Sequence, residues 1–430
     1  MKPNSSPLKK KKKKKKAKPS TPFPPKSQTP MDELAGDSRR ADSAPPLPHL
    51  PDDMLVEIFL RLPPEPIHLF RASFVCKHWR GLVHDARFLR RFRDFHGGTP
   101  PVLGFFNNQP VSPLFAPTSD GFAVPGAATM RHGEWWALDC RHGRALLLDQ
   151  RHGRLLVWDL MNGDKHYLPF PTQAHLERVE YNGAVLCAAG HADHGDCHLC
   201  PFLVAFVFSQ QSDFNTSACV YSSEISVWGE IYSIEIPNVL VTWAPTPLIG
   251  NTLYWMLDTS GGAIKNECWI VEFDLDAHNL DLTGEIPYYV LDKYNRQIVL
   301  MPADDGRLGF AGVDKFSLHL WSSVACVDGM VTWAHCRVID LENFLALEAV
   351  AACQYVPDAV GYAEDANVIF IRVDPNIYMI HLNTMQIEEV SEKGAYWFVF
   401  PYTSFYTPAK ALRSCFIAHD CHRFIGSFFS

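Results

Sequence analysis

The chain has no long apolar run. Its longest candidate, Phe202 to Phe208, has the length of a strand, whereas a membrane-spanning helix needs about 18 to 20 apolar residues. The lysine-rich N-terminus is not followed by an apolar segment, so no secretory signal is predicted. These absences predict a protein of a reducing intracellular compartment, in which the 12 scattered cysteines are mostly free thiols acting as small core residues.

Sequence patterns typical of catalysis are also absent. We find no nucleophile elbow, no phosphate-binding loop and no pair of carboxylates at a defined helical spacing. The sequence therefore predicts no catalytic residue and no cofactor.

Charge is distributed unevenly along the 430 residues. Residues 1–46 hold 13 Lys and Arg against 4 Asp and Glu, a net charge of +9. Since the formal net charge of the whole chain is −8, the remaining residues carry about −17. An acidic body repels a phosphate backbone, so nucleic-acid binding by the main domain is disfavoured. The hydrophobic content of 47% is enough for two or three folded domains.

The basic charge is concentrated in the run Lys9–Lys16, which lies among Pro, Ser and Thr. Such a segment has nothing to pack, so residues 1–46 are predicted to be a disordered tail. The run fits a nuclear localisation signal, and equally a solvated extension with no address function. The expected location is the nucleus, the cytoplasm or both.

Three short amphipathic helices are predicted between residues 50 and 93. Pro51 suits a first helical turn, and the pair Pro63-Pro64 ends that helix. Pro66 opens a second helix, and Ser73 is placed to cap a third. The apolar positions recur at helical spacing: Met54, Leu55, Ile58, Phe59 and Leu62, then Ile67, Leu69 and Phe70, then Phe74, Val75, Cys76, Trp79, Leu82 and Val83. Three short helices cannot hide all of these side chains among themselves, so some must face a partner.

This segment resembles an F-box, in the order Leu50-Pro51, Leu55, Glu57-Ile58, Arg61-Leu62-Pro63, Val75-Cys76-Lys77, Trp79-Arg80, Leu82 and Phe88. The segment differs from the F-box pattern in its middle, where PEPIHLFRASF replaces a plainer leucine-rich helix. The resemblance implies docking on a Skp-type adaptor and, through it, on a cullin ubiquitin ligase. The adaptor-binding residues it implies are Leu50, Pro51, Leu55, Ile58, Phe59, Leu62, Pro63, Val75, Cys76 and Trp79. The alternative is a small helical subdomain packed on the rest of the chain.

After a linker at residues 97–101, the pattern changes to short β-strands separated by turns. Comparable strands begin near Val102, Leu146, Phe202, Leu253, Leu308 and Val368, a spacing of roughly 45 to 60 residues that is typical of a β-propeller. We predict a small all-α domain at 47–96 and an all-β, kelch-like propeller at 102–430. Six blades are counted, with five or seven left open, and residues 414–429 are expected to complete the blade begun near Val102.

The second region resembles the β-propeller that follows the F-box in many plant, especially grass, F-box proteins. The segments that carry this resemblance are GRLLVWDLMNGDKHYLPFP, YSSEISVWGE, LIGNTLYWML, LGFAGVDKFSLHLW and VFPYTSFYTP. The resemblance implies a substrate receptor and does not name its substrate.

One short segment has the composition of a metal site. His191, His194, Cys197 and Cys200 follow one another at intervals of three, and nitrogen and sulfur ligands at short spacing suit Zn²⁺. No second knuckle accompanies them, so a polar loop between strands explains the segment as well, and no metal is predicted.

Two other patterns are interpreted structurally. The Arg-His-Gly triplets at 131, 141 and 151 are expected to be turns with a solvated flank. Most of the tryptophans are expected in the core between blades.

Recognition of a protein target is assigned to long irregular connections at 170–200, 209–222 and 257–268. The residues proposed to contact the target are His175, Glu177, Arg178, Asp213, Phe214 and Lys265. The sequence thus predicts a non-catalytic substrate receptor of a ubiquitin ligase. The alternatives are a propeller enzyme of the hydrolase or oxidase kind and an interaction scaffold that acts outside the ligase.

Overall fold

The computed structural model describes residues 50–109, 114–118, 134–171, 179–189, 200–210, 215–259, 268–325, 331–342, 356–390 and 397–408. These residues form a helical module followed by six antiparallel sheets. The predicted tail, residues 1–46, lies outside them. Each helix that the structure describes is too short or too polar to cross a bilayer.

The helical module contains four helices where three were predicted. They are α1 (Asp52–Leu60), α2 (Pro66–Val75), α3 (Lys77–Val83) and α4 (Ala86–Phe95). Pro51 was predicted in the first turn of α1 but precedes the helix as its N-cap, and Asp52 and Asp53 lie in the first turn as expected. Pro66 occupies the first turn of α2, where its missing N–H costs no hydrogen bond.

The predicted start of the third helix at Ser73 is wrong. Ser73 is buried inside α2, and its hydroxyl donates to the carbonyl of Phe70 at 2.6 Å. Cys76 caps α3 instead, because its extended backbone breaks the helix and its Sγ accepts from the N–H of Trp79 at 3.4 Å. Phe74 and Val75 therefore end α2 and do not belong to the third helix.

The fourth helix has its own start and stop. Asp85 accepts from the N–H groups of Arg87 and Phe88 at 2.9 and 3.1 Å, which satisfies two donors of the first turn. At the other end, the N–H of Gly98 donates to the carbonyl of Arg93 at 2.9 Å, and Gly98 has a positive φ of 71°. This glycine stop ends the helix, and β1 follows at Val102.

Six sheets follow, which we call blades 1 to 6. Blade 1 contains β1 (Val102–Asn107), β2 (Phe115–Pro117) and β25 (Val399–Thr403). Blade 2 contains β3 (Trp135–Arg141), β4 (Arg144–Asp149), β5 (Arg154–Asp159) and β6 (Lys165–Pro169). Blade 3 contains β7 (Val179–Cys187), β8 (Phe202–Gln210), β9 (Asn215–Ser222), β10 (Val227–Trp228) and β11 (Tyr232–Glu235).

Blade 4 contains β12 (Val239–Val241), β13 (Leu248–Ile249), β14 (Thr252–Thr259), β15 (Cys268–Asp274) and β16 (Asn279–Ile286), and a short helix, α5 (Tyr288–Lys293), follows it. Blade 5 contains β17 (Ile298–Pro302), β18 (Leu308–Asp314), β19 (Ser317–Ala325) and β20 (Val331–Asp340). Blade 6 contains β21 (Asp358–Ala363), β22 (Val368–Val373), β23 (Asn376–His381) and β24 (Ile387–Val390), with a 3-10 turn at Glu364–Ala366.

The prediction of six blades is confirmed. Each of the six strands recognised in the sequence is the second strand of its blade, counted from the axis. Two of the predicted irregular connections are wrong in part, because 170–200 contains β7 and 209–222 contains β9.

The ring closes through β25. This strand pairs antiparallel with β1, from Val102↔Thr403 to Asn107↔Val399, while β2 occupies the other edge of β1. The closing strand was predicted at 414–429, which lies outside the described residues. Since both edges of β1 are occupied, the strand that pairs with β1 to close the ring is 399–403.

The core consists of wedges between neighbouring blades. Each of six buried clusters combines apolar side chains from two adjacent blades, and together they account for every blade-to-blade boundary. Trp158 and Trp255 are fully buried in such wedges, as predicted. No blade buries both of its faces alone, so the ring is the unit that is stable.

The two ends of the propeller differ. At the helix-side end, β25 leads into Tyr406, which packs in the core of the helical module and makes a 2.9 Å hydrogen bond to His84. The turn after β3 lies at the same end, since Gly143 contacts Ser404. We call the opposite end, where β3, β7 and β17 begin, the far end.

Candidate docking surfaces

Helix α1 carries apolar side chains on two sides. Leu55 and Phe59 are 3% and 1% exposed and form the module core with α2, α3 and α4. Leu50, Met54 and Ile58, spaced by four residues, are 43%, 52% and 48% exposed. We call these three residues the α1 stripe. A surface stripe at this spacing lies along one face of a helix, so α1 presents an apolar face outward.

The ten predicted adaptor-binding residues differ in how far the structure exposes them. Leu50, Pro51, Ile58, Pro63, Val75 and Cys76 are exposed, whereas Leu62 and Trp79 are half-buried. Leu55 and Phe59 differ from the predicted surface role, because both side chains lie in the core of the helical module. Phe59 packs edge-on against Trp79 with ring centroids 4.9 Å apart, so these residues hold the surface in place.

Two exposed residues were not assigned to the surface from the sequence. Met54 is the middle member of the α1 stripe, and Phe74 is 53% exposed at the end of α2 beside Val75. The spacing from Leu50 and Ile58 identifies Met54. No sequence pattern separates Phe74 from the buried apolar residues of α2.

Polar contacts fix α1 against its neighbours. Glu57 accepts from Arg61 at 2.8 Å and from Arg91 of α4 at 3.1 Å, and the hydrogen bond from Arg61 lowers the pKa of Glu57. At the start of α1, Asp52 lies 2.8 Å from the imidazole of His78 in α3. These contacts orient the α1 stripe, although exposed ion pairs of this kind contribute little to stability.

At the far end of the propeller, several large aromatic side chains are exposed. Trp397 precedes β25, Trp243 follows β12, and Tyr288 and Tyr289 begin α5; all four are more than 45% exposed. Trp243 and Trp397 therefore depart from the predicted core role. Exposed aromatics are enriched at protein interfaces, so this end offers a second docking surface.

The predicted target-binding residues lie outside the described part of the chain. They are His175, Glu177, Arg178, Asp213, Phe214 and Lys265. The strand ends on either side of them are described: β7 begins, β8 and β14 end, and β9 and β15 begin at the far end. The segments that hold these residues thus start and finish at the same end of the propeller as the exposed aromatics.

A buried ionic cluster lies at the helix-side end near the axis. Arg141 is only 8% exposed; its guanidinium donates to Asp139 at 2.5 Å, to Glu364 of blade 6 at 2.9 Å, and to the carbonyl of Thr246 of blade 4. Val185 donates its N–H to Asp139 at 2.8 Å. The cluster connects four blades, and burial raises the pKa of Asp139 to about 6.

Arg141 corrects the interpretation of the Arg-His-Gly triplets. The triplets at 141 and 151 do make turns, with positive φ at Gly143 and Gly153. The flank of the first turn is not solvated, however, because Arg141 is buried in the ionic cluster. Residues 131–133 lie outside the described residues.

Most residues of the candidate metal site lie outside the described part of the chain. His191, His194 and Cys197 are not described, and the carbonyl of Cys200 accepts from Arg144 at 2.7 Å. Among the residues that are described, no group of three or more His, Cys, Asp or Glu has the arrangement of a metal site.

A polar recess of about 320 Å³ lies beside Cys200, between blades 2 and 3. Asp159, Asp164, His166 and Glu224 contribute to its lining. The recess is open to solvent, and the Arg144 guanidinium lies 5.4 Å from the ring centroid of Phe202 on one wall.

Comparison with known proteins identifies the helical module. Residues 47–95 match the family described as F-box-like. The chain therefore contains an F-box-like domain, which spans the four helices. No curated protein matches the chain.

Solved structures that are similar to the chain include a propeller, an enzyme and a calcium-binding protein. The Dos1 propeller shares 9% identity over 61% of this chain and 58% of that chain, with a TM-score of 0.32. A luciferin-regenerating enzyme shares 9% over 62% and 76%, with a TM-score of 0.33. Regucalcin from Agrobacterium tumefaciens, a calcium-binding protein, shares 11% identity over 59% of this chain and 73% of that chain, with a TM-score of 0.35. The chain spans less than two thirds of the Dos1 propeller, and none of these similarities supports a functional argument.

Proposed function

We propose that the chain is the substrate-recognition subunit of a Skp–cullin–F-box ubiquitin ligase. The helical module binds a Skp-type adaptor, and the propeller binds a protein target that is then ubiquitinated and degraded by the proteasome. In this role the chain positions its target and performs no catalysis. The run Lys9–Lys16 supports a nuclear location for some or all of the protein.

The observation that carries the proposal is the α1 stripe within an F-box-like domain. Leu50, just before α1, and Met54 and Ile58, on α1, are exposed, whereas the other apolar side of the helix already forms the module core. Fully burying a side chain of this size contributes about 1.5–3 kcal/mol, so covering the exposed half of Met54 and of Ile58 with a partner would be favourable. F-box domains generally bind Skp-type adaptors, so we infer that the partner is a Skp-type adaptor.

The arrangement of the two docking surfaces also supports the proposal. The module is attached at the helix-side end through Tyr406, and the exposed aromatics lie at the far end. A chain that carries its two docking surfaces at opposite ends can hold an adaptor and a target at the same time.

The proposal is tested by affinity purification from cells in which the proteasome is inhibited. We expect wild-type chain to recover a Skp-type adaptor, a cullin and ubiquitinated proteins. Met54→Asp with Ile58→Asp places two charges in the α1 stripe, and we expect this variant to lose the adaptor and cullin while still recovering the target proteins.

A matched control places the same charges elsewhere. Ile225→Asp with Val227→Asp changes two residues that are 68% and 50% exposed on blade 3, and this variant should recover the adaptor as wild type does. Recovery of adaptor by the α1 variant at the wild-type level would reject the α1 stripe as the adaptor contact. Failure of the wild-type chain to recover an adaptor would reject the ligase role and favour a scaffold or an enzyme.

A further inference from the structure

The inner strand of blade 4 is interrupted by residues 242–247, which connect β12 to β13. Asn182 of blade 3 holds this segment by donating to the carbonyls of Thr242 and Ala244 at 3.0 and 2.8 Å. Trp243 lies between these two anchored carbonyls. Its backbone is therefore fixed on both sides, while its side chain remains 46% exposed.

Two further side chains complete a cluster around Trp243. Trp136, the second residue of β3, lies with its ring centroid 5.0 Å from that of Trp243 and its plane at 68°. Glu180, the second residue of β7, accepts a hydrogen bond from the Trp243 side chain. Both β3 and β7 begin at the far end, so the cluster belongs to that end of the propeller.

The carboxylate of Glu180 is half-buried. Burial raises the pKa of Glu180, opposed by the hydrogen bond from Trp243. Among the described residues, no Lys, Arg or His forms an ion pair with Glu180, whereas Asp149, Asp258 and Asp358 each have an arginine. A carboxylate taken partly out of water without a positive partner is unfavourable.

Two indole rings at a wide angle, together with a carboxylate, provide the chemistry that binds an organic cation. The face of an indole attracts a positive charge within about 6 Å, and the carboxylate supplies a full negative charge and a hydrogen-bond acceptor. A divalent metal ion prefers oxygen, nitrogen or sulfur ligands, and a neutral apolar ligand offers no positive charge to the Glu180 carboxylate.

We propose that Trp136, Trp243 and Glu180 form a binding site for the side chain of an arginine or lysine of the protein target. This inference deepens the proposed function, since it assumes that the far end receives the target. The charge of the chain agrees with it, because the residues after the tail carry about −17 and attract a basic partner. We call the three residues the cation site.

The test uses pooled nonapeptides that share a fixed central residue and are immobilised on an array. The full-length chain is applied, and retention is compared between pools centred on Arg, Lys, citrulline and norleucine. Citrulline keeps the shape of arginine without its charge, and norleucine does the same for lysine. We expect the Arg or the Lys pool to retain at least about 10-fold more protein than its neutral counterpart, which is a free-energy difference of about 1.4 kcal/mol.

Three variants locate the effect. Glu180→Gln keeps the shape and the hydrogen bond and should remove most of the discrimination between charged and neutral pools. Trp243→Ala should abolish it, and Trp243→Phe should retain part of it. Tyr289→Ala changes an exposed aromatic at the same end that is not in the cluster, so its discrimination should equal that of wild type.

Adaptor binding is measured on the same preparations, so that the two proposals fail independently. Normal adaptor binding shows that the helical module of a variant is folded, and an unchanged melting temperature shows that its propeller is folded. Loss of cation discrimination by such a variant then supports the site. Equal retention of charged and neutral pools by wild type would overturn the cation site. Undiminished discrimination by Glu180→Gln would also overturn it, whatever the adaptor measurement shows.

Discussion

At the scale of single residues, neighbours in the sequence have opposite roles. Leu55 and Phe59 close the module core, while Met54 and Ile58, one position away from them, face solvent. Since α1 is apolar on both sides, periodicity alone cannot say which side is buried. The contacts of Phe59 with Trp79 and Phe88 decide it.

Phe59→Ala should therefore destabilise the module by about 3–5 kcal/mol, because it opens a cavity in a packed core. Met54→Ala should change stability by less than about 0.5 kcal/mol, because Met54 packs against little. Hydrogen exchange of the α1 amides measures both changes. Equal effects of the two substitutions would contradict the assignment of buried and exposed sides.

The ionic cluster around Arg141 provides a second prediction for single residues. The folded pKa of Asp139, about 6, lies above its ordinary value of 3.8 because burial disfavours the charged form. The folded state therefore holds the proton more tightly than the unfolded state. The contribution of Asp139 to stability is fully present below pH 3.8 and is lost as the pH rises through about 6.

Asp139→Asn removes this titration. We expect wild type to lose about 1 kcal/mol relative to the Asn variant between pH 5 and pH 7.5, as measured by thermal unfolding at each pH. Asp305→Asn is the control, because hydrogen bonds from Arg307 lower the pKa of Asp305 and move its titration below this window. A constant difference between wild type and Asp139→Asn would contradict the raised pKa.

At the scale of elements, the sequence predicts best those strands that are buried on both faces. The second strand of each blade reads as a continuous apolar run, and β4 and β18 are buried along nearly all of their length. Inner strands are harder to find when they are short, as with β13, or interrupted, as between β12 and β13. The Trp243 segment was missed because its position depends on Asn182, 61 residues earlier in the chain.

Helix α4 was missed for a different reason. Its start depends on Asp85, which lies only two residues after Val83, the end of α3, and the two helices read as one apolar pattern. Asp85→Ala should destabilise α4 by about 0.5–2 kcal/mol, because two backbone N–H groups lose their acceptor.

The matched control for the cap is Asp94→Ala. Asp94 lies in the last turn of the same helix, where a negative charge faces the negative end of the helix dipole. Its removal should leave α4 unchanged or slightly stabilised. Amide exchange along α4 compares the two variants, and equal protection in Asp85→Ala and wild type would count against the capping role.

At the largest scale, the described residues from Leu50 onward form a closed ring with a helical module fixed to one end. The periodicity of the sequence predicts the ring and its blade count. It does not identify the closing strand, because pairing over about 300 residues leaves no local pattern. It also leaves the target surface open, since the residues proposed for it lie in segments outside the described structure.

Two truncations test how the ring closes. A chain ending at residue 408 keeps β25 and Tyr406, and we expect its melting temperature to match that of the full chain. A chain ending at residue 397 loses the closing strand and the contact of Tyr406 with the module, and should unfold at a lower temperature or aggregate. An equal decrease in melting temperature in both truncations would show that residues beyond 408 close the ring.

The most direct test of the central claim is a calorimetric titration of the purified full-length chain with a Skp-type adaptor. We expect a one-to-one complex, and a loss of at least about 100-fold in affinity for Met54→Asp with Ile58→Asp, because two buried anchors commonly contribute about 2 kcal/mol each. Ile225→Asp with Val227→Asp should bind as wild type does. Absence of binding by the wild-type chain, or equal affinity of the α1 variant, would contradict the account.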